Sequence, residues 1–157
     1  MRINITKKDL PALNELKAAL SEIGKKRVLV GIPEASVSNP DKEITNAKKL
    51  YENTVGNPAK NVPPRPLLEP AIEYHIDKLT EKMKAAALKA LEGKSSYNNE
   101  LELVGALGLQ YVIGWFDHPA NGWEANSPMT IKAKGSSQPM IDTGAMKQSL
   151  TYVISGK

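Results

Sequence analysis

The stretch Asn53–Pro66, NTVGNPAKNVPPRP, divides the chain. It holds prolines at 58, 63, 64 and 66. Each proline sets φ at about −65° and lacks a backbone donor, so neither a helix nor a central strand can run through it. Regular structure must lie before it or after it. A loop of this length inside a compact domain is usually functional or disordered. Its prolines favour an extended, stiffened segment over 53–66.

Before this segment, Arg2 to Thr6 alternates polar and apolar residues, which predicts a short strand over 2–6. Leu10, Leu13, Leu16, Leu20 and Ile23 then fall three or four apart. That is a helix stripe, with Asp9 and Pro11 at its start and Gly24 as its terminator. Arg27 to Ile32, a β-branched run closed by Pro33, predicts a second strand. Glu34 to Pro40 reads as a polar loop. Glu43 to Asn53 reads as a short helix with Ile44, Ala47, Leu50 and Tyr51 inward.

After the segment comes the longest expected helix, about 67–91. Its apolar stripe is Leu68, Ile72, Ile76, Leu79, Met83, Ala87 and Leu91, and Gly93 follows its end. Pro70 is tolerable only near the first turn. Asn98 or Asn99 is a candidate cap for a further helix reaching Phe116, with Glu100 and Glu102 in its first turn. Gly105 and Gly108 lie on one face of that helix. An interior glycine costs about 1 kcal/mol against alanine, so another helix or a neighbouring chain is expected to cross closely at Gly108. Ser127-Pro128 reads as a cap and first helical residue, with a short helix to Lys134 closed by Gly135. A last strand is expected near 149–154.

These elements predict an α+β fold: a small, mainly antiparallel sheet packed with one long helix and several shorter ones. The 157 residues read as a single domain, long enough to bury about two-thirds of their unfolded surface. There is no cysteine and there are only two histidines, His75 and His118, which argues against thiolate or histidine metal centres. No metal and no cofactor is expected. No apolar run approaches the ~20 residues of a membrane span, and the N-terminus lacks a hydrophobic signal core. The expected location is therefore the cytoplasm, or an assembly that leaves the cell.

The net charge of +4 gathers in Lys7-Lys8, Lys25-Lys26-Arg27 and Lys48-Lys49. A soluble nucleic-acid-binding accessory protein is one reading of that balance. Acidic residues dilute it throughout, and no aromatic cluster in the sequence accompanies it as a base-stacking platform would.

Ile141-Asp142-Thr143-Gly144-Ala145 is similar to the segment around the catalytic aspartate of retroviral-type aspartic proteases. Such an enzyme needs two carboxylates sharing a proton. No second Asp-Thr/Ser-Gly occurs, long amphipathic helices precede the motif, and only Ala145 to Lys157 follow it. A hydrolase using Asp142 is thus the weaker reading. In the stronger one, Asp142 or Thr143 caps a short helix beginning near Gly144, with Ile141 and Met146 packing across the turn. No Gly-x-Ser-x-Gly elbow, phosphate loop, dinucleotide fingerprint or His-Glu-x-x-His occurs.

A set of short segments in a fixed order runs through most of the chain. They are Val30-Gly31-Ile32-Pro33, Asn46-Ala47 with Tyr51-Glu52-Asn53, Gly56-Asn57-Pro58 and Val62-Pro63-Pro64-Arg65-Pro66-Leu67-Leu68. Later come Leu107-Gly108, Asn126-Ser127-Pro128, Thr130-Ile131, Lys134-Gly135, Pro139-Met140-Ile141-Asp142-Thr143-Gly144 and Ser149 to Val153. Together they resemble the virion-morphogenesis proteins of tailed bacteriophages, the neck or tail-completion proteins. Two departures are visible: Val-Pro-Pro-Arg-Pro-Leu stands where the family usually has Ile-Pro-Ala-Arg-Pro-Phe, and Thr54 and Val55 separate Asn53 from its glycine.

The resemblance implies a non-enzymatic structural protein of a phage or prophage. It implies a ring of copies, commonly six, around the DNA channel where head, connector and tail meet. Its implied partners are itself, tail-terminator and head-connector proteins, and non-specifically the DNA in the channel, with no membrane. Its implied location is the virion, and the host cytoplasm during assembly. On that view Asn57 to Pro66 reaches a neighbour or clamps the start of the long helix. Arg65, held between Pro64 and Pro66, either meets a carboxylate or carbonyls of a neighbouring copy or makes an internal salt bridge.

Overall fold

The computed structural model describes residues 10–33 and 44–156. The strand expected over 2–6 and the loop over 34–40 lie outside the described residues. Among those described, seven α-helices accompany a two-stranded antiparallel sheet, an α+β arrangement.

Helix α1 spans Leu10–Lys25 and runs straight into strand β1, Lys26–Gly31. Gly24 lies in the last turn of the helix, one residue before its end. The helix stops because Lys26 enters the ladder with strand β2, Thr151–Gly156, opposite Gly156. Successive side chains of a strand point to opposite faces. Val28 and Val30 accordingly turn inward, while Leu29 and its partner Val153 stay about half exposed on the outer face. β2 begins later than expected because Ser149 and Leu150 complete the last turn of the short helix α7, Ala145–Gln148.

Helix α2, Asn46–Val55, starts three residues later than its apolar spacing implies. Thr45 sets the start: its hydroxyl accepts a bond from Lys48 N at 3.1 Å. Gly56 ends it at φ 72°, where a Cβ would meet Pro64 N at 2.7 Å and Val62 O at 2.8 Å. Only glycine lets the returning proline segment pass that close.

The long helix expected over 67–91 is two helices, α3 (Leu68–Tyr74) and α4 (Ile76–Leu91). His75 breaks it: its N–H bonds the Ile72 carbonyl three residues back, and its ring stacks on Tyr111 with centroids 3.8 Å apart. Neither proline nor glycine marks the site. Beyond α4, a turn through Gly93 leads to α5, Tyr97–Trp115. Its cap is Ser96, bonded by Asn99 N at 3.2 Å, and neither Asn98 nor Asn99 takes that role. Helix α6, Pro128–Lys134, has the expected Ser127 cap and Gly135 end.

α5 is the axis on which the rest packs. Tyr97, Leu101, Val104, Gly105, Gly108, Val112 and Trp115 are buried along one stripe. The element crossing closest over its glycines is the sheet, with Ile72 of helix α3 beside it at Gly108. A Cβ on Gly105 would collide with the Tyr152 ring, and one on Gly108 would lie 3.3 Å from Val30 Cγ2. Toward the C-terminal end of α5, Val112, Trp115 and Phe116 join Leu50, Leu67, Ala71, Met146 and Leu150 in one cluster. Toward its start, Leu101 and Tyr97 join Ala86, with Ile23, Val28, Met83 and Ile154 around them. Full burial of an apolar side chain contributes about 1.5–3 kcal/mol, and Leu67, Leu101 and Val112 are essentially fully buried.

Candidate functional site

The proline-rich segment folds back on itself instead of extending as an arm. Asn57 caps a single 3-10 turn, Pro58–Lys60, by accepting from Lys60 N, and its backbone pairs with Val62 in an antiparallel bridge. Arg65 N then donates to Asn53 O at 2.7 Å, which closes the loop at its base. Pro64 and Pro66 stay exposed on either side of Arg65. Trp123 Nε1 pins the exit by donating to Pro66 O at 2.9 Å, with its indole edge-on to Phe116.

Between the two prolines the Arg65 side chain turns inward and is only 6% exposed. Its Nε and Nη2 both donate to the main-chain carbonyl of Glu124, at 3.2 and 2.9 Å. The contact is internal but is not a salt bridge. No carboxylate lies within ion-pair distance of Arg65 among the described residues. Burial pushes the guanidinium's pKa down, and the nearby Glu124 charge offsets part of that.

Arg65 and Glu124 line a cleft of about 430 Å³. Met140, Asp142, Thr143, Gly144 and Met146 line it too, as do Asn126, Ser127, Thr130 and Lys134 with Asn46 and Lys49. Asn126 is buried, its amide donating to the carbonyls of Ser137 and Gln138 at 3.1 and 3.0 Å. Lys134 donates to Gln138 O. Its pKa is lowered, by burial first; Asp142 pulls it up while Arg65 pushes it down. Asn61 and Met140 are the two non-glycine residues with positive φ among those described, and both line this cleft. Asparagine adopts that conformation readily; a long side chain such as methionine rarely does, and such strain collects at functional sites.

Asp142 is exposed and caps nothing. The residue preceding α7 is Gly144, at φ 79°, without a side-chain cap bond. Thr143 Oγ1 accepts a long bond, 3.4 Å, from Ala145 N. The conformation at Gly144 forms the turn, leaving the Asp142 carboxylate on the cleft rim. Ile141 and Met146 do pack into the same core cluster.

Of the residues singled out in the sequence, Arg65, Asp142 and Thr143 therefore meet in one cleft, and Asn57, Pro64 and Pro66 belong to the loop that builds its wall. Gly108 lies apart, under the sheet. The Glu124 carbonyl has no sequence signal, and nothing in the sequence places Asn126, Lys49 and Lys134 at one site. Their positions come from loops and helix ends without periodicity. Asn126 was legible only as the neighbour of the Ser127-Pro128 cap.

A second cluster sits at the α3–α4 break. Tyr74 is edge-on to His75 and His118, and Trp115 stacks on His118 at 4.7 Å. His118 Nδ1 accepts from Ala120 N, which makes it the cap of a second 3-10 turn, Pro119–Asn121. The His75 pKa is lowered, by burial first and then by the Lys78 and His118 charges. No group of three or more potential metal-ligating residues occurs among the described residues, and no described helix is long and apolar enough to cross a membrane. No family model, curated protein or solved structure matches this chain.

Proposed function

We propose that the protein is a structural component of virion assembly in a tailed phage or prophage. It acts as a neck or tail-completion protein at the head–tail junction and closes into a ring around the DNA channel. One observation carries this reading. The two segments central to the resemblance, Val62–Leu68 and Pro139–Gly144, face one cleft whose polar groups serve as fasteners. Arg65, Trp123 and Asn126 each bond main-chain carbonyls of distant segments, which stiffens loops without conventional secondary structure.

A rigid loop surface loses little entropy when it docks. A ring needs such a surface to meet a different one on the next copy. In this reading Asp142 has no catalytic role, and the partners are further copies together with tail-terminator and head-connector proteins.

The test is light scattering on the purified protein, alone and mixed with those two partners. The expected outcome is a particle of six copies, at least in the mixtures. A monomer under every condition would sink the reading. Sequence-specific duplex binding at near-physiological salt would move the function to nucleic-acid recognition.

A further inference from the structure

We infer that the cleft between Arg65 and Asp142 is an acceptor site for one acidic side chain of a segment supplied by another protein chain. The starting point is the buried guanidinium. A buried cation is normally matched by an anion, because desolvation is costly and a neutral carbonyl compensates for it only in part. Arg65 spends Nε and Nη2 on one carbonyl oxygen. Nη1 makes no hydrogen bond among the described residues, although the guanidinium fork suits a carboxylate.

Two more cations, Lys49 and Lys134, line the same cleft. The Lys134 ammonium has only a carbonyl partner among the described residues, and burial disfavours its charge more than the Asp142 carboxylate supports it, with Arg65 adding to the cost. An anion entering between them relieves both charges.

The charge balance selects the anion. Three cations (Lys49, Arg65, Lys134) stand against two carboxylates (Glu124, Asp142), leaving one net positive charge in the lining. That suits a monovalent carboxylate. A nucleic-acid backbone would bring several phosphates against Glu124 and Asp142. Asn61, Ser127 and Thr130 add groups able to bond a peptide main chain. The volume falls within the ~300–1,000 Å³ typical of binding sites. The anion chemistry stands on this geometry alone. That a protein chain supplies it rests on the assembly reading.

The experiment is an NMR titration of the full chain at low salt, following the Arg65 Nε–H and the Asn61 and Asn126 side-chain amides. The probes are an acetylated Gly-Gly-Glu-Gly-Gly amide and its neutral counterpart Gly-Gly-Gln-Gly-Gly. The acidic peptide should give saturable shifts and bind at least about tenfold tighter than the neutral one. A Lys49→Met/Lys134→Met double variant should lose that difference.

Absence of saturable shifts, equal response to both peptides, or unchanged binding by a folded double variant would each overturn the inference. Inorganic phosphate or a DNA duplex acting at lower concentration than the acidic peptide would overturn the carboxylate assignment. If the double variant melts early, Asp142→Lys at the exposed rim serves instead: it should tighten the acidic peptide, and no tightening counts against the site. These results are independent of ring formation. Peptide binding by a protein that never assembles would retain the site and remove the assembly reading.

Discussion

At the C-terminal end of α5 the core is closed by short helices and loops; at the N-terminal end it is closed by longer helices and the sheet. The first end buries Arg65, bonded to a main-chain carbonyl 59 residues away, and Asn126, bonded to carbonyls 11 and 12 residues away. The helical end uses surface ion pairs, Lys26–Glu22 and Lys89–Glu100. It also leaves a groove of about 610 Å³ lined by Ile23, Val28, Ile72, Ile76, Leu79 and Met83, among others. Specific polar bonds tie the loops of the first end to one another. Apolar packing of regular elements holds the second, and that packing is incomplete. Surface ion pairs there contribute little, about 0–1 kcal/mol each.

The sharpest way to break this contrast is to cut equal cavities in both ends. Leu67→Ala and Leu101→Ala should each cost about 2–5 kcal/mol in urea unfolding, and the Leu67 cost should be the larger. Leu67 lies under loops fixed by hydrogen bonds, whereas Leu101 belongs to the cluster beside the open groove and its neighbours can relax. Equal costs would remove the distinction.

Arg65→Ala comes next, at about 1.5–3 kcal/mol. Arg65→Lys should recover only part of this, because an ammonium cannot reproduce the two-pronged contact with the Glu124 carbonyl. Measuring ring assembly beside melting separates two roles. Loss of stability with assembly intact confines Arg65 to the fold.

At the helical end, Gly105→Ala should destabilise by about 1–3 kcal/mol despite alanine's better helix propensity, because the new methyl meets the Tyr152 ring. Gly108→Ala should be far milder, since Val30 has only to give by a few tenths of an ångström. Gly108→Val should disturb folding more.

A smaller effect concerns pH. The folded-state pKa of His75 is depressed, so its contribution is complete above the ordinary histidine value of about 6.5 and is lost as pH falls through the folded value. Melting should drop between pH 7.5 and 5.5, and His75→Phe, which keeps a ring on Tyr111, should flatten that drop. The smallest change is expected from Asp142→Asn, within about 0.5 kcal/mol, as for an exposed residue that caps nothing. A cost near 1 kcal/mol would restore it as a cap.

The contrast also governs what was legible in the sequence. Strand β1 and helix α6 were readable because their signals are local: a β-branched run in one, Ser-Pro and a closing glycine in the other. The close approach at Gly105 and Gly108 was readable too, because a glycine pair inside a helix has a steric reason, although the closest partner proved to be the sheet. The break at His75 was not, since its cause is a ring on another helix. The cap of α5 was ambiguous among neighbouring polar residues, and geometry chose Ser96. At Asp142 the motif drew attention to the carboxylate, while the turn depends on Gly144. The cleft joins segments about sixty to eighty residues apart along the chain, as Arg65 with Glu124 and with Asp142, which no short-range pattern encodes.

The junction of α1 and β1 has no spacer: Lys25 ends the helix and Lys26 begins the strand. Length there is thus a fixed quantity. Adding or deleting one residue must either turn the helix by about 100°, carrying Ile23 off its cluster on α4 and α5, or slide the strand and swap Val28 for Leu29 on the inner face. The joint behaves as a keyed coupling, in which the rotational setting of one element dictates which side of the next faces in.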